Sequence, residues 1–171
     1  MKQTKKVALA GVFSALCLVF LFIGALFQTL DLSAAAFASI IVLVAMTELG
    51  KGWALGVYAA ASILSLLLLP YKSAALVFAM FAGFYPILKA PLNKIKPKWF
   101  SYLARLACFN LLLTALIFVA TRLIGVEEEY LAFGFVIYAL ANLTFVVYDF
   151  ALERIALSYI TRIKPKLFGK Q

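Results

Sequence analysis

The sequence predicts an all-α integral membrane protein, a single bundle of six transmembrane helices with both termini in the cytoplasm. Two compositional observations lead to this fold class: 66% of the 171 residues are hydrophobic and only 13% are charged, whereas roughly a quarter of a soluble domain is charged. The third observation is that apolar runs of about 20 residues, the length that crosses a bilayer, recur along the chain. We place the spans, within one domain over residues 1–171, at about residues 7–27, 33–49, 52–69, 73–90, 99–124 and 130–160.

The first three spans are separated by short polar breaks. Residues 1–6 are basic and precede an apolar run, as in a signal peptide. That run is about 20 residues long and has no small-residue cleavage site, so we expect a retained first helix. The segment LDLS (residues 30–33) ends span one and offers Ser33 as the N-cap of span two. Gly50-Lys51-Gly52 predicts a tight turn between spans two and three.

Proline, glycine and charge mark the limits of the last three spans. Pro70 separates span three from span four, and Pro91 and Pro97, among lysines, separate four from five. Gly125 and the acidic run 127–129 separate five from six. Acids that precede a helix interact favourably with its dipole, so this run suits the start of span six.

Basic residues set the predicted orientation through the positive-inside rule. With both termini inside, thirteen cations face the cytoplasm, two face outward, and Arg105 lies within span five. The inward set is Lys2, Lys5, Lys6, Lys51, Lys89, Lys94, Lys96, Lys98, Arg154, Arg162, Lys164, Lys166 and Lys170, and the outward pair is Lys72 and Arg122. The net charge of +9 therefore marks membrane topology and does not indicate nucleic-acid binding.

Missing residue types argue against several classes of function. The chain has no histidine, which is the commonest general base and a frequent metal ligand. ELGKG (residues 48–52) lacks the upstream glycine and the following Ser or Thr of a phosphate-binding loop. Cys17 and Cys108 lie in the middle of apolar runs, which predicts two buried small side chains and not a disulfide or metal pair. We therefore predict no enzymatic activity, no cofactor and no metal site.

Small residues recur at helical spacing in four spans, where helices in lipid associate by close packing. Ala34, Ala35, Ala38 and Ser39 lie in span two, Gly52, Gly56 and Ala60 in span three, and Ala75, Ala79 and Gly83 in span four. For spans three and four we favour packing inside the bundle. Ala8, Gly11 and Ala15 form a comparable face on span one, which fits either internal packing or docking of another membrane protein.

Polar side chains inside spans five and six are candidates for a binding site, because unpartnered polar groups are costly in lipid. Asn110 and Asn142 lie near mid-span, where they either bond each other or present amides to a solute. Thr114 and Tyr138 lie one turn farther outward, which extends a polar stripe toward the outer surface. Gln28, Asp31, Lys72 and Arg122 are expected at the mouth of that stripe, although Asp31 also fits a solvated loop acid.

Acidic residues also occur at the predicted inner ends of the spans. Asp149 lies nineteen residues after Tyr130, about 28 Å along a helix, which places it at the inner boundary. Glu48 ends span two at the same level and is a candidate partner for Lys51 or Arg154. This inner layer fits ion pairing between helix ends or a docking surface.

Two segments, together with the helix count, resemble the substrate-binding S components of energy-coupling-factor (ECF) vitamin transporters. The segments are KKVALAGVFSAL (residues 5–16) and the outward loop and helix LDLSAAAFASIIVLV (residues 30–44). The likeness covers nearly the whole chain in architecture, and no motif in it is specific to one vitamin.

The resemblance implies capture of a water-soluble vitamin from outside a bacterial cell membrane and its import with a transmembrane coupling subunit and two ATPase subunits. In that family an Ala-x-x-x-Ala motif on helix one contacts the coupling subunit, and Gly11 and Ala15 match it here, with Ala8 one turn earlier. The resemblance implies ligand contacts for Asp31, Lys72, Asn110, Arg122, Tyr138 and Asn142.

The alternative is a non-catalytic membrane scaffold similar to the small cell-shape protein MreD. Such a scaffold explains the helix count and the basic inner loops, but it does not explain an outward polar stripe. A lipid-modifying enzyme lacks the acids that its chemistry requires. Since Lys72 and Arg122 are the outward cations, they favour a ligand that carries a carboxylate or phosphate.

Overall fold

The computed structural model describes residues 3–124 and 134–164, and within these ranges all regular structure is helical. Six helical segments in the described ranges are long and apolar enough to cross a membrane. The predicted all-helical class and the six candidate spans are therefore confirmed. The predicted start of span six at Tyr130 and the acidic run 127–129 lie outside the described residues.

The helices begin and end close to the predicted limits. In chain order they are α1 (Gln3–Leu26), α2 (Asp31–Leu49), α3 (Lys51–Leu68), α4 (Ser73–Val77), α5 (Tyr85–Leu92), α6 (Lys98–Ile124) and α7 (Gly134–Ser158). A short 3₁₀ turn (Gln28–Leu30) precedes α2, and π-helical segments continue α4 (Phe78–Ala82) and α7 (Tyr159–Ile163). The fourth candidate span, Ser73–Leu92, therefore comprises α4, a π-helical segment and α5.

The connections on either side of α2 differ in how well the sequence predicted them. Ser33 is not the N-cap, because the 3₁₀ turn continues directly into helical backbone at Asp31 (φ −54°, ψ −50°). An N-cap residue needs a non-helical conformation, which Leu30 adopts here without a side-chain cap. The turn after α2 is confirmed, since Gly50 has φ +93°, a conformation that glycine adopts without a steric penalty.

The chain divides into two compact units. Unit one comprises Met1–Leu88 and Ala151–Gln171, and unit two comprises Lys89–Phe150. The buried core of unit one consists largely of small side chains from α1 to α4, including Cys17, Ala25, Ala38, Val42 and Ala61. Ala34, Ala35, Ala38 and Ser39, the small residues singled out in span two, are buried.

Gly24 marks a close approach of helices within unit one. A Cβ atom built at Gly24 would lie 2.5 Å from the Ala34 Cβ and 3.3 Å from the Ala74 Cβ. The backbone of α1 therefore meets α2 and α4 at a point where a methyl group does not fit. Such close packing is what holds helices together in lipid, where burial of apolar surface gives little advantage.

The predicted packing face of α3 is wrong. Gly52 and Gly56 are exposed, and a Cβ at either position would meet nothing within 4 Å. Ala54, Val57 and Ala61 are buried instead. The two sets lie on different faces of one apolar helix, so hydrophobicity alone did not identify the buried face. In span four the expectation holds for Ala75 and Gly83, which are buried.

Candidate functional site

The four polar residues of the predicted stripe lie together in unit two as two hydrogen-bonded pairs. Asn110 Nδ2 donates to Asn142 Oδ1 at 2.9 Å, and Asn142 Nδ2 donates to Asn110 Oδ1 at 3.0 Å. The Thr114 and Tyr138 hydroxyls lie 2.8 Å apart. The expected bond between the two amides across spans five and six is therefore present.

Further hydrogen bonds use all the donors of the two amides. Besides the mutual bonds, Asn110 Nδ2 donates to Leu106 O and Asn142 Nδ2 to Tyr138 O, each at 2.8 Å. A side-chain amide has two N–H donors and an oxygen with two lone pairs. Each NH₂ group is thus fully used, whereas each amide oxygen accepts one hydrogen bond from the described residues and has a second lone pair.

The Thr114 and Tyr138 hydroxyl pair resembles the amide pair, because its hydrogens are used as donors and lone pairs are left to accept. Thr114 Oγ1 donates to Asn110 O at 2.8 Å, which uses its only hydrogen. When Thr114 makes that bond, the Tyr138 hydroxyl donates to Thr114 Oγ1, and among the described residues its own oxygen accepts no hydrogen bond. Thr114 is exposed, while Tyr138, Asn110 and Asn142 are half-buried. The stripe as a whole therefore presents acceptors, and the group that complements it is an N–H or O–H donor.

An aromatic pair packs next to the amides, since Phe109 precedes Asn110 directly and Phe145 follows Asn142 by three residues. Phe109 and Phe145 are buried and stack with ring centroids 4.4 Å apart and planes 10° apart. Stacked rings of this kind contribute about 0.5–1.5 kcal/mol beyond their buried area. This pair and the amide pair together fix the register of α6 against α7 in unit two.

The three ionic residues predicted at the mouth of the stripe have different environments. Lys72 donates to Leu66 O at 2.7 Å and to Leu69 O at 2.6 Å, so the ammonium caps the C-terminal end of α3. Arg122 is exposed, and its guanidinium carbon lies 5.7 Å from the centre of the Phe118 ring. Lys72 belongs to unit one and Arg122 to unit two.

Asp31 is half-buried in the structure. It lies in the first turn of α2, where a carboxylate complements the helix dipole. Its Oδ1 atom is buried and has no hydrogen-bond partner among the described residues. An orphaned carboxylate oxygen is costly, so this atom is a candidate acceptor for a ligand donor.

Sequence reasoning missed a buried ionic cluster in unit two. Asp149 Oδ1 lies 2.7 Å from Lys89 Nζ, and Asp149 Oδ2 lies 2.6 Å from Arg105 Nη1. Lys89 Nζ also donates to Asp149 O at 2.7 Å, and all three side chains are buried. The available signal was the presence of three ionisable residues within apolar segments, a pattern that demands partners.

A second ionic contact at the helix ends lies in unit one. Glu48 pairs with Lys164 at 3.4 Å and accepts a hydrogen bond from the Tyr159 hydroxyl at 3.3 Å. We expected Lys51 or Arg154 as its partner. Lys164 lies beyond the predicted end of span six, and the π-helical continuation of α7 carries the helix to this lysine. Ion pairing at the helix ends, one of the two alternatives for this layer, is therefore observed.

The small-residue face of α1 is open. Ala8, Gly11 and Ala15 are all exposed, and a Cβ at Gly11 would meet nothing within 4 Å. Internal packing is thus not the use of this face in the described structure.

No family model, curated protein or solved structure matches this chain in the comparisons.

Proposed function

We propose that this protein is the substrate-capture subunit of an ECF-type importer in a bacterial plasma membrane. Its six helices form one bundle with both termini in the cytoplasm, and it binds a small water-soluble vitamin-like nutrient from outside. The observation that carries the proposal is the stripe of Asn110, Asn142, Thr114 and Tyr138, whose unused lone pairs lie inside candidate spans, at half-buried positions except for the exposed Thr114.

The unused acceptors of the stripe limit the kinds of polar group by which a ligand can bind there. Because the donors are already used, a ligand at this stripe is held by its own N–H or O–H groups. A carboxylate or phosphate on the ligand has Arg122 as its partner, since Lys72 already spends two of its three N–H groups on carbonyls.

Isothermal titration calorimetry of the purified protein against a panel of water-soluble vitamins tests capture. We expect tight binding of one member without ATP. We expect Asn142→Leu to weaken that binding about threefold to tenfold, the value of one hydrogen bond. Thr144→Val is the matched control, because Thr144 bonds only the backbone of its own helix at Leu140. Unchanged affinity in Asn142→Leu would remove this residue from the site.

The exposed face of α1 is the proposed contact for the coupling subunit, which two separate ATPase subunits would energise. We expect Gly11→Leu to abolish co-purification with that subunit while vitamin binding persists. Gly56→Leu on α3 is the control, since Gly56 is also an exposed helical glycine with nothing within 4 Å. Equal co-purification of both variants with the coupling subunit would exclude this use of the α1 face.

A scaffold of the MreD type is the second candidate. It is favoured by the mutual satisfaction of the Asn110 and Asn142 amides, because polar pairs of this kind also serve only to join helices in lipid. If the protein is a scaffold, we expect no binding heat with any vitamin in calorimetry. We still expect Gly11→Leu to abolish co-purification with its protein partner.

A further inference from the structure

The loop that enters α6 carries exposed cations beside exposed aromatic rings. Lys94, Lys96 and Lys98 are all exposed. Trp99 and Tyr102, in the first turns of α6, are 66% and 57% exposed. We call residues 94–102 the basic-aromatic loop, and all of it belongs to unit two.

The basic-aromatic loop has a defined shape. Its backbone is closed by hydrogen bonds from Lys94 N to Pro91 O at 3.0 Å and from Ile95 N to Leu92 O at 3.2 Å. The buried Ser101 hydroxyl donates to Leu92 O at 2.8 Å and ties the first turn of α6 to the end of α5. The three lysines are thus held on one short segment and not on a free tail.

The charge of the loop is uncompensated. The sequence has no acidic residue between Glu48 and Glu127. Within residues 3–124 and 134–164, Lys94, Lys96 and Lys98 take part in none of the observed salt bridges, which include those of Lys89, Arg105 and Lys164. Three lysines within five residues therefore offer positive charge to an external anion.

Position relative to the bilayer identifies that anion. The fifth candidate span begins at Lys98. Lys94 and Lys96 therefore lie just before the span, Lys98 is its first residue, and the rings of Trp99 and Tyr102 lie in its first turns. Tryptophan and tyrosine favour the headgroup level of a bilayer, and basic residues next to a span attract anionic lipid. We propose that the basic-aromatic loop binds the headgroups of anionic phospholipids, with the aromatic rings seated beside the phosphates.

Tryptophan fluorescence in vesicles tests this proposal directly. The chain has two tryptophans, so Trp53→Phe leaves Trp99 as the reporter. The vesicles contain about 20% phosphatidylglycerol and about 80% phosphatidylcholine. In one preparation the phosphatidylglycerol is brominated, and in the other an equal amount of the phosphatidylcholine is brominated. We expect Trp99 to be quenched about twofold to fivefold more by the brominated anionic lipid at low salt.

Matched variants distinguish binding of anionic lipid by the basic-aromatic loop from general attraction between the basic protein and anionic lipid. Lys94→Gln, Lys96→Gln and Lys98→Gln combined should remove the preference, whereas Lys51→Gln, at an exposed lysine in unit one, should retain it. Equal quenching by the two lipids, or a preference that survives the triple variant, would overturn the proposal. Loss of the preference when inorganic phosphate replaces chloride at equal ionic strength would also overturn it, because the site would then be a free-phosphate site. The proposal does not depend on vitamin capture.

Discussion

At the residue scale, the polar groups of α6 and α7 satisfy one another inside unit two. Asn110 and Asn142 exchange two hydrogen bonds, and neither has a spare donor. In lipid such a pair is worth less than its vacuum strength, because helices separated in the membrane also find partners. The contribution of the pair is therefore a coupling energy, best measured by a double-mutant cycle.

We expect Asn110→Leu and Asn142→Leu to be strongly non-additive. Each single change leaves the remaining amide unpaired, whereas the double change removes both amides. The expected coupling is about 0.6–2 kcal/mol in the free energy of unfolding, measured in detergent or bicelles. Additive effects would show that the amides do not act on each other.

The buried Lys89–Asp149–Arg105 cluster should respond more strongly to substitution. Asp149→Asn leaves two buried cations without their carboxylate, so we expect a loss of about 3–5 kcal/mol in the free energy of unfolding. Replacing Lys89, Asp149 and Arg105 together by Met, Met and Leu, respectively, should lower the free energy of unfolding far less, because no charge then remains buried. Thermal unfolding of the purified variants measures both effects.

Glu48→Gln is the control for Asp149→Asn. The partner of Glu48 is Lys164, whose side chain is 42% exposed and therefore remains hydrated when the pair is lost. We expect a change of at most about 1 kcal/mol. A Glu48→Gln effect as large as that of Asp149→Asn would mean that the buried cluster has no special energetic role.

At the element scale, the sequence predicts which segments are helices better than which faces they bury. The limits of the spans follow from composition, glycine and proline, and these are local signals. The face of α3 does not follow, because Gly52, Gly56, Ala54 and Ala61 all lie on an apolar helix and only the neighbouring helices decide which set is buried. Lys72 was likewise unpredictable as a helix cap, since its capping bonds depend on how the chain leaves α3.

Two glycines give a matched test of helix packing. Gly24→Ala puts a methyl group 2.5 Å from the Ala34 Cβ, and we expect overpacking to cost about 1–3 kcal/mol in the free energy of unfolding. Gly56→Ala has open space, so the better helix propensity of alanine should make it neutral or stabilising by up to about 1 kcal/mol. Comparable destabilisation of both variants would contradict the assigned packing faces.

At the scale of the whole molecule, the chain reads as two compact units with six candidate spans. The site residues divide between them: Asp31, Lys72 and the α1 face belong to unit one, and Arg122 and the polar stripe to unit two. Sequence reasoning grouped Asn110, Thr114, Tyr138 and Asn142 correctly because they occupy matching depths on consecutive spans. It placed Asp149 in an inner layer of ion pairs or docking but assigned it no partner, because Lys89 and Arg105 entered only as markers of topology.

The predicted orientation has a direct test. In a background of Cys17→Ala and Cys108→Ala, single cysteines at Lys72 and Lys96 are treated with a membrane-impermeant maleimide on intact cells. We expect labelling at position 72 before lysis and at position 96 only after permeabilisation, because the positive-inside rule predicts that the basic loops face the cytoplasm. The reverse pattern would invert the bundle and place Asp31 on the inner side.

The tight seat of Gly24 against Ala34 joins residues only ten positions apart in the chain. The contacts of α1 with α2 and α3 are complete by Leu68. We therefore expect the first three spans to pack against one another during synthesis, while about a hundred residues remain to be translated. Later spans would then meet a template that already exists, and errors in their insertion would leave that template intact.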